Sequence, residues 1–196
     1  MVIYATYHGP AGTAEEQKRF KQYEKTKELQ VGKTYVVTDI EMGSSYTSIG
    51  IDGVTNENGR SIPFNSIAFT FARNFRGILW HYDIYAHYNE LKDYSTKVLY
   101  GTYKGPAGTE RDVELFESLQ SQGYLKKGKT YVVTDVDIAS SDTRVKLDPL
   151  RDKDNQQIAV NGIAFEYGRI INGKLQPYDI YSSGLNSFYQ KNEPQF

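Results

Sequence analysis

His8, His81 and His87 are the natural general bases of a 196-residue chain that contains no cysteine. A serine or threonine nucleophile needs such a base beside it and an oxyanion hole. Hydroxyl-rich stretches occur at Ser44, Ser45 and Thr47 and again at Ser140, Ser141 and Thr143, but no G-x-S-x-G elbow accompanies either. Without cysteine there are no thiolate nucleophiles, disulfides or sulfur-ligated metals. Acid–base work by carboxylates needs two of them about 5–9 Å apart. The spacing of Asp39, Asp52 and Asp83, or of Asp135, Asp148 and Asp179, does not impose that, and aspartates near strand ends read as turn caps. The segment "GPAGT" precedes a helical pattern at Gly9–Thr13 and at Gly105–Thr109. A helix start attracts anions. A phosphate loop, however, requires Gly-Lys-Ser/Thr, and no lysine follows Gly12 or Gly108. No catalytic residue, metal site or cofactor is therefore assigned.

These residues recur at a constant interval. An offset of 96 aligns the halves without a gap, with 34 identities among the 82 pairs of residues 4–85 and 100–181. "GKTYVVTD" stands at Gly32–Asp39 and again at Gly128–Asp135. A period this long indicates domain duplication rather than a solenoid. The histidines are not duplicated; their counterparts are Lys104, Pro177 and Ser183. A histidine with the same duty in both halves would occur twice, so surface or packing roles are favoured.

The elements that must position these groups are mostly strands. There are 17 Tyr and 9 Phe against one Trp, a bias that suits pleated, half-buried surface. "VIYATYH" and "VLYGTYK" open the repeats as strands. Thr13 with Glu16, and Thr109 with Asp112, read as capping boxes. The first helix is expected to run to about Leu29, and the second to stop at Gly123, with Val113, Phe116 and Leu119 on one face. Alternation places Ile49 with Ile51, and Val145 with Leu147, on one strand face. It also groups Ile67, Phe69 and Phe71, and Ile163, Phe165 and Tyr167. "NENG" and Asn172–Gly173 read as turns, the second a hairpin. The expectation is α+β and sheet-dominated, with five short antiparallel strands and one inserted helix per repeat. The domains are residues 1–91 and 97–196, joined by the polar segment "AHYNELKDYSTK".

The order "TYxG", "LxxGKTYVVTDVD", "SSxT", "FNSIAFTF", "DIY" resembles SH3-like small barrels found in uncharacterised proteins of phages and Gram-positive bacteria. The resemblance implies a closed five-stranded barrel with the helix replacing the long first loop, and a phage or mobile-element connection. The "ALYDY" signature of proline-peptide readers is absent, so that activity is not implied.

The net charge is −1, and it is −1 and 0 for residues 1–96 and 97–196, so neither half carries the basic field that dominates nucleic-acid affinity. No window approaches a membrane span, and the N-terminus lacks a signal pattern, so a cytoplasmic protein is expected. Two polar pairs are candidates for binding: Asn65 with Asn161, and Arg73 with Arg169, the arginines being placed to stack on an aromatic neighbour or to pair with a matched aspartate. The repeats differ most at "NFRGILWHYDIY" against "IINGKLQPYDIY". The candidate contact surface is accordingly Phe75, Arg76, Ile78, Trp80 and Tyr82, since aromatic and arginine clusters mark interfaces, whether with a partner or as a seam between the two halves. The expectation is a non-enzymatic protein that engages a protein partner. A single-stranded nucleic-acid binder, and a small-molecule or nucleotide binder or enzyme with a site between the repeats, are the alternatives.

Overall fold

The structure, a computed structural model, describes residues 2–43, 45–56, 61–75, 78–91, 94–139, 142–153, 156–171 and 174–181, excepting the side chains of Phe75, Tyr88 and Pro149. Arg76, Asn172–Gly173, most of "NENG", Ser44, Ser140, Ser141 and Ser183 lie outside the described residues. The chain divides between Lys97 and Val98 into two compact units.

The first unit runs β1 (Ile3–Tyr7), α1 (Ala14–Lys25), β2 (Thr34–Met42), β3 (Thr47–Ile51), β4 (Phe64–Asn65), a 3-10 turn at Ser66–Ala68, β5 (Phe69–Phe75), β6 (Ile78–His81), the short helix α2 (Tyr88–Leu91) and a 3-10 turn at Tyr94–Lys97. The second repeats this order as β7 (Leu99–Tyr103), α3 (Glu110–Ser121), β8 (Thr130–Ile138), β9 (Thr143–Arg151), β10 (Gln157–Asn161), a 3-10 turn at Gly162–Ala164, β11 (Phe165–Ile171) and β12 (Lys174–Pro177). Each unit holds one antiparallel sheet, ordered β4-β3-β2-β1-β5-β6 and β10-β9-β8-β7-β11-β12.

Two expectations change. The strand count per unit is six rather than five, because β4 spans only two residues and offers no alternation to read. Among the described residues no pairing joins β4 to β6 or β10 to β12, so the sheets are open and the closed SH3-like barrel is not what the pairing gives. The "AHYNELKDYSTK" connector packs with the first unit. Leu91 and Tyr94 are buried, and the Tyr94 hydroxyl accepts the Ile3 N–H at 2.9 Å.

Both helices start on the expected capping boxes. α3 ends as expected, with Gly123 at φ 77° just past the cap. α1 does not reach Leu29; it ends at Lys25. Lys27 occupies the position of Gly123 and adopts φ 63°, a left-handed turn that brings Leu29 back into the core. Each helix inserts one aromatic ring. Phe20 stacks on Tyr7 with centroids 5.5 Å apart and on Phe64 at 5.4 Å. Phe116 meets Tyr103 at 5.5 Å, and Val160 stands where Phe64 does.

The expected grouping of Ile67 with Phe69 and Phe71 also fails. The 3-10 turn interrupts the two-residue period, so Ile67 and Ile163 are each 66% exposed while Phe69 and Phe165 are buried.

A left-handed lysine at a helix end is strained where glycine is not. Lys27→Gly should therefore stabilise the chain by about 1 kcal/mol, read as a rise in the denaturant midpoint at unchanged m-value. An unchanged or lowered midpoint would contradict this account of the helix end.

Candidate functional site

The asparagine pair proves to be a brace. Asn65 Oδ1 accepts the Ile67 N–H at 3.1 Å and so starts the 3-10 turn, while its amide donates to Glu16 Oε1 at 2.9 Å. The other oxygen of Glu16 accepts the Thr13 N–H at 2.7 Å, closing the capping box. Asn161 repeats this: its Oδ1 accepts from Ile163 N–H at 3.1 Å and its amide donates to Asp112 Oδ2 at 3.0 Å. The side chain thus ties the helix start to the end of the sheet, and its bonding atoms are spent inside the fold.

This geometry answers the "GPAGT" question. Gly108 has φ 107°, and a Cβ there would lie 2.7 Å from both the Asn161 amide and Asp112 Oδ2. The turn needs glycine because the brace fills the space. The N–H groups of Thr13 and Glu16 are taken by the capping box, and Glu15 and Glu16 already supply negative charge to the dipole.

The two braces differ in electrostatics. Asp112 is buried and also accepts Arg144 Nη1 at 2.6 Å. The Asn161 amide, followed by the guanidinium of Arg144 and the groups of Thr109, holds its carboxyl well below the usual range against the opposing cost of burial. Glu16 is lowered too, chiefly by the Thr13 N–H, but Ser48 stands where Arg144 does.

The duplicated octapeptide is a turn and a strand. Gly32 and Gly128, each at φ 82°, donate to the carbonyls of Tyr7 and Tyr103 at 2.7 and 2.8 Å. The Tyr35 and Tyr131 hydroxyls accept the N–H groups of Gln30 and Lys126, both at 2.8 Å. Asp39 and Asp135 follow a register shift against β3 and β9. Their partners differ. Asp135 meets Lys146 Nζ at 2.9 Å. Gly50 stands at the matching position, and burial raises the Asp39 carboxyl against the opposing Ile40 N–H and Ser95 hydroxyl. Asp83 and Asp179 cap turns, accepting from the N–H groups of Tyr85 and Tyr181.

Arg73 and Arg169 stack as expected, their guanidinium carbons 5.1 Å from the Tyr82 ring centre and 3.8 Å from that of Tyr178. Tyr82 is therefore a core residue, only 5% exposed, rather than part of a contact surface. The His87 ring stacks on it at 4.6 Å, and burial followed by the charge of Glu90 pushes its hydroxyl up to about 12. His8 bonds the Thr70 hydroxyl at 2.7 Å.

What stays on the surface is β6. Ile78, Leu79, Trp80 and His81 are all exposed, Ile78 by 61% and Trp80 by 54%. Leu79 and His81 were not among the sequence candidates, because alternation assigns one face of a strand to the interior and β6 buries neither. A second surface feature is an open groove on the outer side of α1, lined by Gln17, Lys18, Lys21, Gln22 and Lys25. The matching α3 positions of the three lysines are Glu114, Glu117 and Ser121. Among the described residues no cluster of three histidines and carboxylates gathers for a metal, and no helix is long and apolar enough to cross a membrane.

Residues 2–96 match the family model described as Bacteriophage T4 protein Y07B. The match spans the first unit, including β6 and the α1 groove, and supports a phage-related protein. No curated protein and no solved structure matches the chain.

The Asp112 brace makes a pH-dependent prediction. A carboxyl held below its ordinary value stabilises the fold above an unfolded pKa of about 3.9, and that contribution is lost as pH falls through and below it. Asp112→Asn should cost about 1–3 kcal/mol at pH 7. The gap to the parent chain should narrow progressively as pH falls below about 4. Chemical denaturation across that range reads both, and a gap independent of pH would refute the charged brace.

Proposed function

We propose that this is a non-enzymatic binding protein, built of two duplicated small sheet domains of phage origin, that engages a protein partner through the β5–β6 hairpin of the first unit. The observation that carries the reading is β6 itself: an edge strand with all four side chains exposed, among them the only tryptophan of the chain. Exposed tryptophan on a rigid strand is the kind of residue that dominates interface energies. The matched strand β12 offers Lys174, Leu175, Gln176 and Pro177, so the surface belongs to one unit. The SH3-like character of each domain rests on the order of motifs alone.

Tryptophan emission supplies the first check. Trp80 should emit near the wavelength of solvated indole and be readily quenched by acrylamide; blue-shifted, unquenched emission would remove the hairpin as a contact surface. For the partner, the full chain is used as bait in a bacterial lysate beside Trp80→Ala and the matched control Gln176→Ala. A prey kept by the control and lost with Trp80→Ala supports the reading, whereas a prey indifferent to Trp80 overturns it.

The lysine-lined groove on α1 favours the second reading, single-stranded nucleic acid. Its discriminating property is salt dependence, since each phosphate contact releases counterions. Oligonucleotide affinity that falls steeply with salt, and falls again in a Lys18→Glu/Lys21→Glu chain, would establish it; salt-insensitive or absent binding would eliminate it.

A further inference from the structure

The free edge of β6 is defined by its pairing with β5. The Tyr82 N–H donates to the Phe71 carbonyl at 2.9 Å, and the register runs Ala72 to His81, Arg73 to Trp80, Asn74 to Leu79 and Phe75 to Ile78. Hydrogen-bonded pairs alternate in an antiparallel ladder. Trp80 and Ile78 therefore point their backbone groups at β5, while Leu79 and His81 point theirs outward. No described strand lies on that side.

Sheet edges are ordinarily protected, because a row of unpaired N–H and C=O groups invites another strand. Two of the others here are. β4 is two residues long. β12 carries both a charge and a proline. Its outward positions, by the same alternation from Tyr178 N–H to the Tyr167 carbonyl, are Leu175 and Pro177. Pro177 matches His81 and has no N–H to offer. Lys174 matches Ile78. β6 has neither device.

The outward pair in β6 is symmetric about Trp80. An antiparallel copy of the same strand would set Leu79 opposite His81 of the second copy, and His81 opposite its Leu79. Donors would then meet acceptors in both pairs. Trp80 would face Trp80 of the second copy in the intervening pair without hydrogen bonds, where side chains approach most closely. The strand holds no Asp, Glu, Lys or Arg, so self-pairing sets no acidic or basic pair of like charges side by side. We infer that the first unit pairs β6 to β6 with a second copy of this chain, centred on Trp80. This rests on the hairpin being the contact surface and names its partner.

The test is sedimentation velocity of the full chain over a concentration series, with variants copied from the matched strand. The native chain should show a concentration-dependent dimer. Ile78→Lys/His81→Pro should be monomeric at least tenfold above the native dissociation constant, and Gln176→Ala should match the native chain. Far-UV circular dichroism checks that the double variant folds, as its new residues already occur in β12. With no native cysteine to interfere, Trp80→Cys should form an oxidised dimer faster than Leu79→Cys, because only residue 80 meets itself. A monomeric native chain, a dimer that survives in Ile78→Lys/His81→Pro, or faster linking at residue 79 would each overturn the pairing. A monomeric chain that still captures a prey through Trp80 would overturn self-pairing and leave the contact surface standing.

Discussion

A carboxylate held by an asparagine organises each unit. The Glu16 and Asp112 side chains cap the helix that follows the glycine-rich turn, and Asn65 and Asn161 clamp those carboxylates to the turn that starts β5 or β11. A helix start and a sheet end are fixed to one another by a single side chain that uses both its donor and its acceptor. The helix orientation set there delivers Phe20 or Phe116 to the rings of β1 and β5 or of β7 and β11. The exposed Ile67 and Ile163 follow from the same clamp, because the 3-10 turn it starts shifts the parity of the strand.

The copies agree where the fold is held and disagree at several exposed positions. The octapeptide and the brace recur with nearly the same distances, and the arginine–tyrosine stack recurs with a closer approach in the second unit. The Asp39 and Asp135 carboxylates meet different neighbours, α1 carries three lysines where α3 carries two glutamates and a serine, and β6 is apolar where β12 is guarded. Duplicated chemistry would show the reverse pattern, with reactive groups kept and scaffold free to drift.

Much of this was legible in residue order. Capping boxes are local, so Thr13, Glu16, Thr109 and Asp112 declared the helix starts. Alternation declared the inward faces of β3 and β9. Arg73 and Arg169 lie among strand aromatics, which left stacking or an aspartate pairing open, and they stack on Tyr82 and Tyr178. What stayed hidden depended on backbone states that side-chain pattern does not report. Lys27 in a left-handed turn ended α1 before Leu29 with no glycine to mark it. A two-residue strand left no period, and a three-residue turn reversed one. Tyr82 looked like surface because it sits beside Trp80, yet β6 ends at His81 and the chain turns its next ring beneath Arg73.

Pro177 carries one more consequence. A protein with two equivalent open edges can add copies at both, and nothing in such a contact stops growth; the product is a fibre. A proline at one of two matched edges changes the stoichiometry available to the molecule. Strand addition at β6, with the matched edge of β12 shut by Pro177, uses one of the two matched edges of each participant and closes at two. A single imino acid, placed where its copy holds a histidine, separates a finite assembly from an open-ended one.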